Sequence, residues 1–263
     1  MNVNATVNYH VIRDEPQAFL FDVDGIDGNL VSPELVPTVV EVNDLRDRTC
    51  QVDFEADGIC FRQHVSSVTD FNQHNQWHGA YNAQIVSLLK SSIAADEVMV
   101  FDHTVRIDDQ NAIRKPARNV HNDYSQVGAE QRLIDLLGEE LAADYRAGHY
   151  AFVNVWRPVG QPIFTSPLGF IRPSSMSPAD WMNIELIYPN RKGQILGVAA
   201  NPQHEWFYLS HMQPDEVAIF NIFDNQGRPF LAHSALDVIG QSPSNVPRQS
   251  IETRTLVRYR DKY

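Results

Sequence analysis

The sequence predicts a mainly β fold with flanking helices, a β-sandwich or jelly roll of the α+β class. Three observations lead there. Helical periodicity is confined to two stretches before residue 150, short β-branched and aromatic runs separated by turn residues fill the rest, and helices do not alternate with strands in the second half. An α/β nucleotide-binding fold is disfavoured on the same pattern, and because no glycine-rich phosphate loop follows a strand. Two facing antiparallel sheets bury alternate side chains and leave room for a pocket between them.

In chain order, residues 3–60 offer short apolar pieces such as Phe19-Leu20-Phe21-Asp22-Val23 and Val36-Pro37-Thr38-Val39-Val40-Glu41-Val42, which read as strands broken by turns. Ser67 or Thr69 is placed to cap a helix whose Tyr81, Ile85, Leu88, Leu89 and Ile93 recur on one face, with Trp77 and Tyr81 as core residues. Residues 98–106 read as a strand, and a polar connection then delivers the chain to Val120. Leu133, Leu136, Leu137 and Leu141 mark a second helix ending near Gly148. Strands follow over 150–156, 185–188, 205–210, 216–223, 230–236 and 250–259, joined by Asp224-Asn225-Gln226-Gly227 and by the Pro/Ser-rich stretch 167–178. With no repeat or linker in view, one domain over 1–263 is expected: 1–97 supplies N-terminal strands and a scaffold helix, and 98–263 the core that carries the site.

Composition narrows the function. A net charge of -12 repels phosphate backbones, which excludes a nucleic-acid partner, and no apolar run has the length of a membrane span. The start, Met1 to His10, lacks the basic and apolar segments of a secretory signal, so a cytoplasmic location is expected. Cys50 and Cys60 are too few for a disulfide framework and read as free thiols. The basic run Arg114-Lys115-Pro116-Ala117-Arg118 reads as a solvated loop or, with the Pro/Ser-rich stretch after Pro158, as a lid over a small-molecule substrate. Oligomeric state is left open, a homodimer being allowed.

The chemistry gathers at Val120-His121-Asn122-Asp123-Tyr124-Ser125. Residues two apart on an extended strand project to one side, so His121 and Asp123 face a pocket together while Asn122 points away. With ten histidines in an Asp-rich chain, about one His-x-Asp is expected by chance. The triplet therefore needs company. His233, in a predicted strand, adds a second imidazole from the opposite side of a jelly roll, giving two nitrogens and one oxygen on one face of an octahedron with three positions open. Arg248 and Ser250 open the final strand, where a guanidinium forks onto a carboxylate such as that of 2-oxoglutarate. Arg254 and Arg258 share the parity of Arg248, and Arg254 is its alternative. Asn154, Trp156, Arg157, Tyr124 and Tyr208 are further candidates around the site, each with a core or structural role as its rival. His103 is the competing metal candidate but lacks a partner at two-residue spacing; His10, His64, His74 and His78 read as surface or hydrogen-bonded histidines.

Five strings together carry a family resemblance: Phe101-Asp102-His103-Thr104-Val105-Arg106, Val120-His121-Asn122-Asp123-Tyr124-Ser125, Val153-Asn154-Val155-Trp156-Arg157-Pro158, Met212-Gln213-Pro214-Asp215-Glu216-Val217 and Pro247-Arg248-Gln249-Ser250-Ile251-Glu252-Thr253-Arg254. On them the chain resembles the hydroxylase/desaturase group of Fe(II)/2-oxoglutarate-dependent oxygenases, over roughly residues 101–259. The resemblance implies a double-stranded β-helix of cupin-like type. It also implies iron ligands at His121, Asp123 and His233, 2-oxoglutarate as co-substrate, dioxygen, and a small, largely apolar metabolite to be hydroxylated, desaturated or cyclised. The chain departs from the pattern at Ala232-His233-Ser234, where many relatives carry Pro-His-Thr; the ligand type is kept. Two rivals stand beside this reading: a metal-dependent cupin-like hydrolase or isomerase using the same His-Asp-His set with a bound water, and a non-catalytic β-sandwich binding module with structural histidines.

Overall fold

In the computed structural model, residues 2–26, 28–46, 52–71, 76–241 and 246–260 are described; Cys50 and His74 lie outside them. The N-terminal half supplies β1 (Asn2–His10), β2 (Gln17–Phe21), β3 (Leu30–Val31), β4 (Leu35–Asp44), the short α1 (Phe54–Asp57), β5 (Ile59–Gln63) and α2 (His78–Ile93). Next come β6 (Glu97–Ile107), β7 (His121–Asn122), α3 (Gln126–Ala147) and β8 (His149–Pro158). The remainder is β9 (Leu168–Ile171), β10 (Trp181–Ile187), β11 (Lys192–Val198), β12 (Trp206–Tyr208), β13 (Glu216–Asp224), β14 (His233–Ala235), β15 (Asp237–Val238) and β16 (Gln249–Tyr259).

Among the described residues these strands form two sheets. The larger runs β15-β1-β4-β12-β9-β14-β7-β11-β10-β2-β3, and the smaller runs β5-β13-β8-β16-β6. The first 97 residues do not stand apart, since β4 pairs with β12, β2 with β10 and β5 with β13. Alternation on β8 and β16 decides what each face of the smaller sheet does. Tyr150, Phe152, Trp156 and Leu256 turn inward onto Phe170, Phe207 and Phe220, while Ala151, Val153, Val155, Ile251 and Val257 turn outward onto α2.

The α2 stripe is buried as its spacing predicts, at Tyr81, Ile85, Leu88, Leu89 and Ile93. Its start is not where a capping residue was expected. Trp77 occupies the N-cap without a side-chain bond, and Ser66 and Ser67 instead hold the amide of Gln84 at 2.9 and 2.8 Å. In α3 the leucine stripe holds only in part. Gly138, at φ 74°, breaks the helical path and rotates the second half, so that Leu133, Ala142 and Tyr145 are buried while Leu141 is 46% exposed. The Pro/Ser-rich stretch 167–178 contains β9, which pairs with β12 and β14 in the middle of the larger sheet. Arg118 is tied to Asp108 at 3.1 Å and Asp237 at 2.9 Å, so neither part of the expected lid is a free flap.

Candidate metal centre

The strand β7 is only two residues long, and its neighbours in the larger sheet are β14 and β11. The register sets His233 directly opposite His121, with ring centroids 4.5 Å apart. The second imidazole therefore stands beside the first on the adjacent antiparallel strand, and the sequence-based placement on the opposite side of the jelly roll is corrected. Directly paired residues project to the same face of a sheet, which is what brings the two rings together. Asn122, expected to point away, takes no part in the three-residue cluster. It is fully buried, and its amide donates to the carbonyls of Ile222 at 2.9 Å and Tyr124 at 2.8 Å, fixing the segment against the smaller sheet.

Asp123 follows the end of β7, just before Ser125 caps α3 by accepting from the Gly128 N–H at 3.0 Å. Its Oδ1 lies 3.4 Å from His121 Nε2 and 3.8 Å from His233 Nε2, and the three ligand atoms fall within 4.8 Å of one another. Both imidazoles are held by their far nitrogens. Nδ1 of His121 sits 2.8 Å from the Asn119 carbonyl and Nδ1 of His233 3.1 Å from the Leu231 carbonyl. A carbonyl only accepts, so each Nδ1 carries the proton and each Nε2 lone pair faces Asp123. Burial and the neighbouring His121 push the His233 pKa down to about 3, so it stays neutral.

The other carboxylate oxygen of Asp123 is clamped from the smaller sheet. Asn154 donates to Oδ2 at 2.9 Å and Arg254 at 3.1 Å, and these two residues are register partners on β8 and β16. Burial alone would raise the Asp123 pKa, but Arg254 and the two imidazoles outweigh it and hold the carboxyl well below the usual range. The donor set is two neutral nitrogens and one carboxylate oxygen on one side, with Phe220 and Phe170 ring centroids 5.0 and 6.3 Å from His233. These residues fit a divalent iron that keeps open positions.

The other candidates separate. Arg254 is saturated: besides Asp123 it binds Asp102 at 2.8 Å, Thr104 at 3.0 Å and Glu252 at 2.5 Å. Arg248 is its opposite. It is 3% exposed, donates to the Ser166 carbonyl at 2.7 Å and to Ser250 Oγ at 2.9 Å, and lies 5.2 Å above the Trp156 ring. Its Nε has no partner, and it has no ion pair among the described residues. Burial and the nearby Arg106 pull its pKa down to about 9. Arg106 stands directly opposite Ser250 in the register, a neighbourhood that strand pairing and not local sequence creates. Arg258 pairs with Asp144 at the far end of β16.

Asn154, expected near the co-substrate, is thus a holder of Asp123, and Tyr124 packs on Phe152 with centroids 5.0 Å apart. Arg157 turns to the outer face and binds the backbone carbonyls of Pro214 and His64, not a carboxylate. Tyr208 is buried with Trp206 in the core. His103 bonds Thr253 at 2.9 Å and Asn82 at 2.7 Å, a structural role. Among the N-terminal histidines, His64 lies 3.2 Å from Arg157 NH1 and His78 packs on Trp77. His10 breaks the expectation, being 3% exposed with neither ring nitrogen partnered.

Comparison with known proteins agrees with this picture. The chain is 28% identical to the alpha-ketoglutarate-dependent dioxygenase phiK of a fungal species, over 83% of each chain. It is 27% identical to the hydroxylase/desaturase efuI of Hormonema carpetanum, over 99% of this chain and 96% of that one. The Fe(II)/2-oxoglutarate-dependent dioxygenase nvfI of Aspergillus novofumigatus is 29% identical over 68% of this chain and 66% of its own. A solved structure of the iron and alpha-ketoglutarate-dependent endoperoxidase NvfI matches the fold with a TM-score of 0.86 at 23% identity, over 98% of both chains. The profile of the oxidoreductase/YMDC permease-like domain matches residues 9–258. This chain accordingly belongs to the oxidoreductase/YMDC permease-like domain family and is a homologue of Fe(II)/2-oxoglutarate-dependent dioxygenases and hydroxylase/desaturases.

Proposed function

We propose that this chain is an Fe(II)- and 2-oxoglutarate-dependent dioxygenase that hydroxylates, desaturates or cyclises a small, largely apolar metabolite. His121, Asp123 and His233 are its metal ligands. The observation that carries the reading is the convergence of two Nε2 atoms on Asp123 Oδ1, each imidazole turned by a backbone carbonyl behind it. Iron bound there supplies the activation of dioxygen that couples 2-oxoglutarate decarboxylation, to succinate and carbon dioxide, to oxidation of a substrate C–H bond.

The chain's own residues orient and exclude. Asn154 and Arg254 occupy Oδ2, which leaves Oδ1 as the ligating oxygen. Arg248, with Ser250 beside it and Trp156 beneath, receives the distal carboxylate of 2-oxoglutarate. A buried guanidinium without an anionic partner gains most from one. Phe170 and Phe220 pack beside the His233 ring and give it an apolar surrounding. The reading includes one domain over 1–263, a small-molecule substrate and a cytoplasmic setting. The charge of -12 disfavours nucleic acid, and no helix among the described residues is long and apolar enough to cross a membrane.

Anaerobic addition of Fe(II) and 2-oxoglutarate should give a weak visible charge-transfer band, absent along with the iron from His121→Ala and Asp123→Ala. Normal iron binding in both variants would sink the ligand assignment. Release of succinate separates this activity from a metal-dependent hydrolase or isomerase, and stoichiometric metal in the purified protein separates it from a binding module.

A further inference from the structure

Tyr9, His204 and Asp180, far apart in the chain, meet in a buried hydrogen-bonded line that the proposed reaction leaves unused. His204 Nε2 lies 3.0 Å from Asp180 Oδ2, and His204 Nδ1 lies 2.8 Å from the Tyr9 hydroxyl. Burial alone would raise the Asp180 pKa, but bonds from the Ser177 backbone N–H, Asn201 and His204 outweigh it and hold the carboxyl below its usual range. A carboxylate only accepts, so His204 Nε2 carries the proton, Nδ1 is the bare nitrogen, and the Tyr9 O–H donates to it. The Trp206 indole N–H donates to the same phenolic oxygen at 2.9 Å.

Strand pairing sets this line beside the metal centre. Asn8 bridges Asn119 in parallel and accepts from the Val120 N–H at 2.9 Å, so Tyr9 runs alongside Val120, one residue before His121. Neighbouring strands lie about 4.8 Å apart. The Tyr9 backbone is thus one strand from the ligand segment, and its side chain packs with Val120 on the face opposite to His121. A second approach runs through rings. His233, Phe170 and Phe207 are successive register partners across β14, β9 and β12, with centroids 6.3 and 5.7 Å apart. Trp206 adjoins Phe207 on β12, and its ring lies 6.2 Å from that of Tyr9. Electron tunnelling through packed protein readily spans two or three strands.

A phenol that loses an electron becomes a strong acid, so a buried tyrosine is oxidised readily only where a base takes its proton in the same step. Burial raises the Tyr9 pKa, so the phenol keeps its proton until then, and lowers that of His204, so the base is free. We propose that Tyr9 is a redox-active tyrosine, with His204 as its proton acceptor, that reduces a high-potential one-electron oxidant formed at the metal centre when no primary substrate consumes it. One electron passes from Tyr9 to that oxidant. The Tyr9 O–H bond breaks, the proton forms an N–H bond at His204 Nδ1, and Asp180 pairs the imidazolium. The tyrosyl radical is reset by a diffusible one-electron reductant of the ascorbate class, while His204 returns the proton. The proposal rests on the oxygenase reading for its oxidant, and goes beyond it in giving a function to three residues outside the metal site.

The test has two arms, both read by electron paramagnetic resonance on freeze-quenched samples. In the first, anaerobic protein with Fe(II), 2-oxoglutarate and a recorded charge-transfer band is mixed with dioxygen and no primary substrate. In the second, metal-free protein is oxidised by flash-generated tris(bipyridine)ruthenium(III). Wild-type protein should give a persistent tyrosyl radical in both arms, narrowed by ring-deuterated tyrosine and removed by ascorbate. Tyr9→Phe should lose it. His204→Gln, whose amide can still accept from Tyr9 and donate to Asp180 but is no base, should also lose it while the thermal unfolding midpoint stays near wild type. A purely structural line would leave the radical unmoved in His204→Gln, and this variant also guards against a folding failure of Tyr9→Phe. No radical in the first arm with the band intact, or an undiminished one in either variant, overturns the proposal and leaves the oxygenase reading standing. A missing band removes the oxygenase reading, and the second arm then decides by itself whether Tyr9 is redox-active with His204 as its base.

Discussion

One arginine stands just before β16 and another at its middle, and their circumstances are opposite. Arg254 and Arg248 share one face of the strand, yet Arg254 is met by Asp123, Asp102 and Glu252 while Arg248 meets a carbonyl and a serine hydroxyl. A guanidinium enclosed by carboxylates is a structural cation, and its work is to aim Asp123. Arg248 is more deeply buried and meets no carboxylate, which suits the anion-binding role proposed for it. The same residue type on one face thus meets carboxylates at one position and a carbonyl and a hydroxyl at the other, the contrast on which the proposed roles rest.

The largest effect that breaks this contrast is expected from Arg254→Leu. It leaves three carboxylates without their cation, and removing one partner from a buried pair costs about 3–5 kcal/mol. Thermal unfolding should fall by roughly 6–20 °C at about 2–4 °C per kcal/mol, and metal titration should show weakened iron binding. An unaltered midpoint together with unaltered iron affinity would remove Arg254 from the centre.

Arg248→Leu should behave oppositely. The midpoint and iron affinity should stay close to wild type, because a buried cation without a paired anion is replaced by an apolar group. The dissociation constant of 2-oxoglutarate, followed by the charge-transfer band, should rise by about 10–150-fold, the worth of roughly 1.5–3 kcal/mol for a charge-assisted bond. Unchanged 2-oxoglutarate affinity would transfer the anion-binding role elsewhere, with Arg106 next to be tested.

Asn154→Leu sharpens the comparison at the metal end. It deletes one of the two bonds to Asp123 Oδ2 and leaves Arg254 in place, so iron affinity should drop by about 10–100-fold, in the range of lost outer-shell bonds to metal ligands. Equilibrium metal competition measures it.

The smallest effect lies on the outer face of β16, where Thr253 binds His103. Burial lowers the His103 pKa from 6.5 to about 4, so between these values the unfolded chain binds more protons than the folded one. Stability from this group is full above about pH 6.5 and declines as pH falls towards 4. In His103→Gln the pH dependence of metal-free unfolding should flatten over that window, with a residual slope from His10, whose pKa is depressed in the same direction.

Much of the fold could be read from residues whose role is local. The α2 stripe and the alternation on β8 and β16 follow from periods of 3.6 and 2, which a single chain carries in itself. Where an element depended on partners, reading was poorer. The prolines and serines of 167–178 mask β9, a strand that exists because β12 and β14 flank it, and the leucines of α3 follow one face only as far as Gly138. The candidate site residues divide the same way. His121, Asp123, His233, Arg248 and Ser250 are visible by spacing and chemistry, whereas the division of labour between Arg248 and Arg254 turns on which carboxylates packing delivers to each.

The chemical types and their order are legible in the chain alone: an imidazole and a carboxylate two apart, a second imidazole far along the chain, and arginines on a final strand. Packing sets His233 beside His121, commits Arg254 to Asp123, and buries His10 with both nitrogens unmet. The physical reason is that hydrogen-bond satisfaction and charge pairing are properties of neighbours in space. Strand register, which brings residue 121 to residues 197 and 233, sets those neighbours at sequence distances over which no local pattern extends.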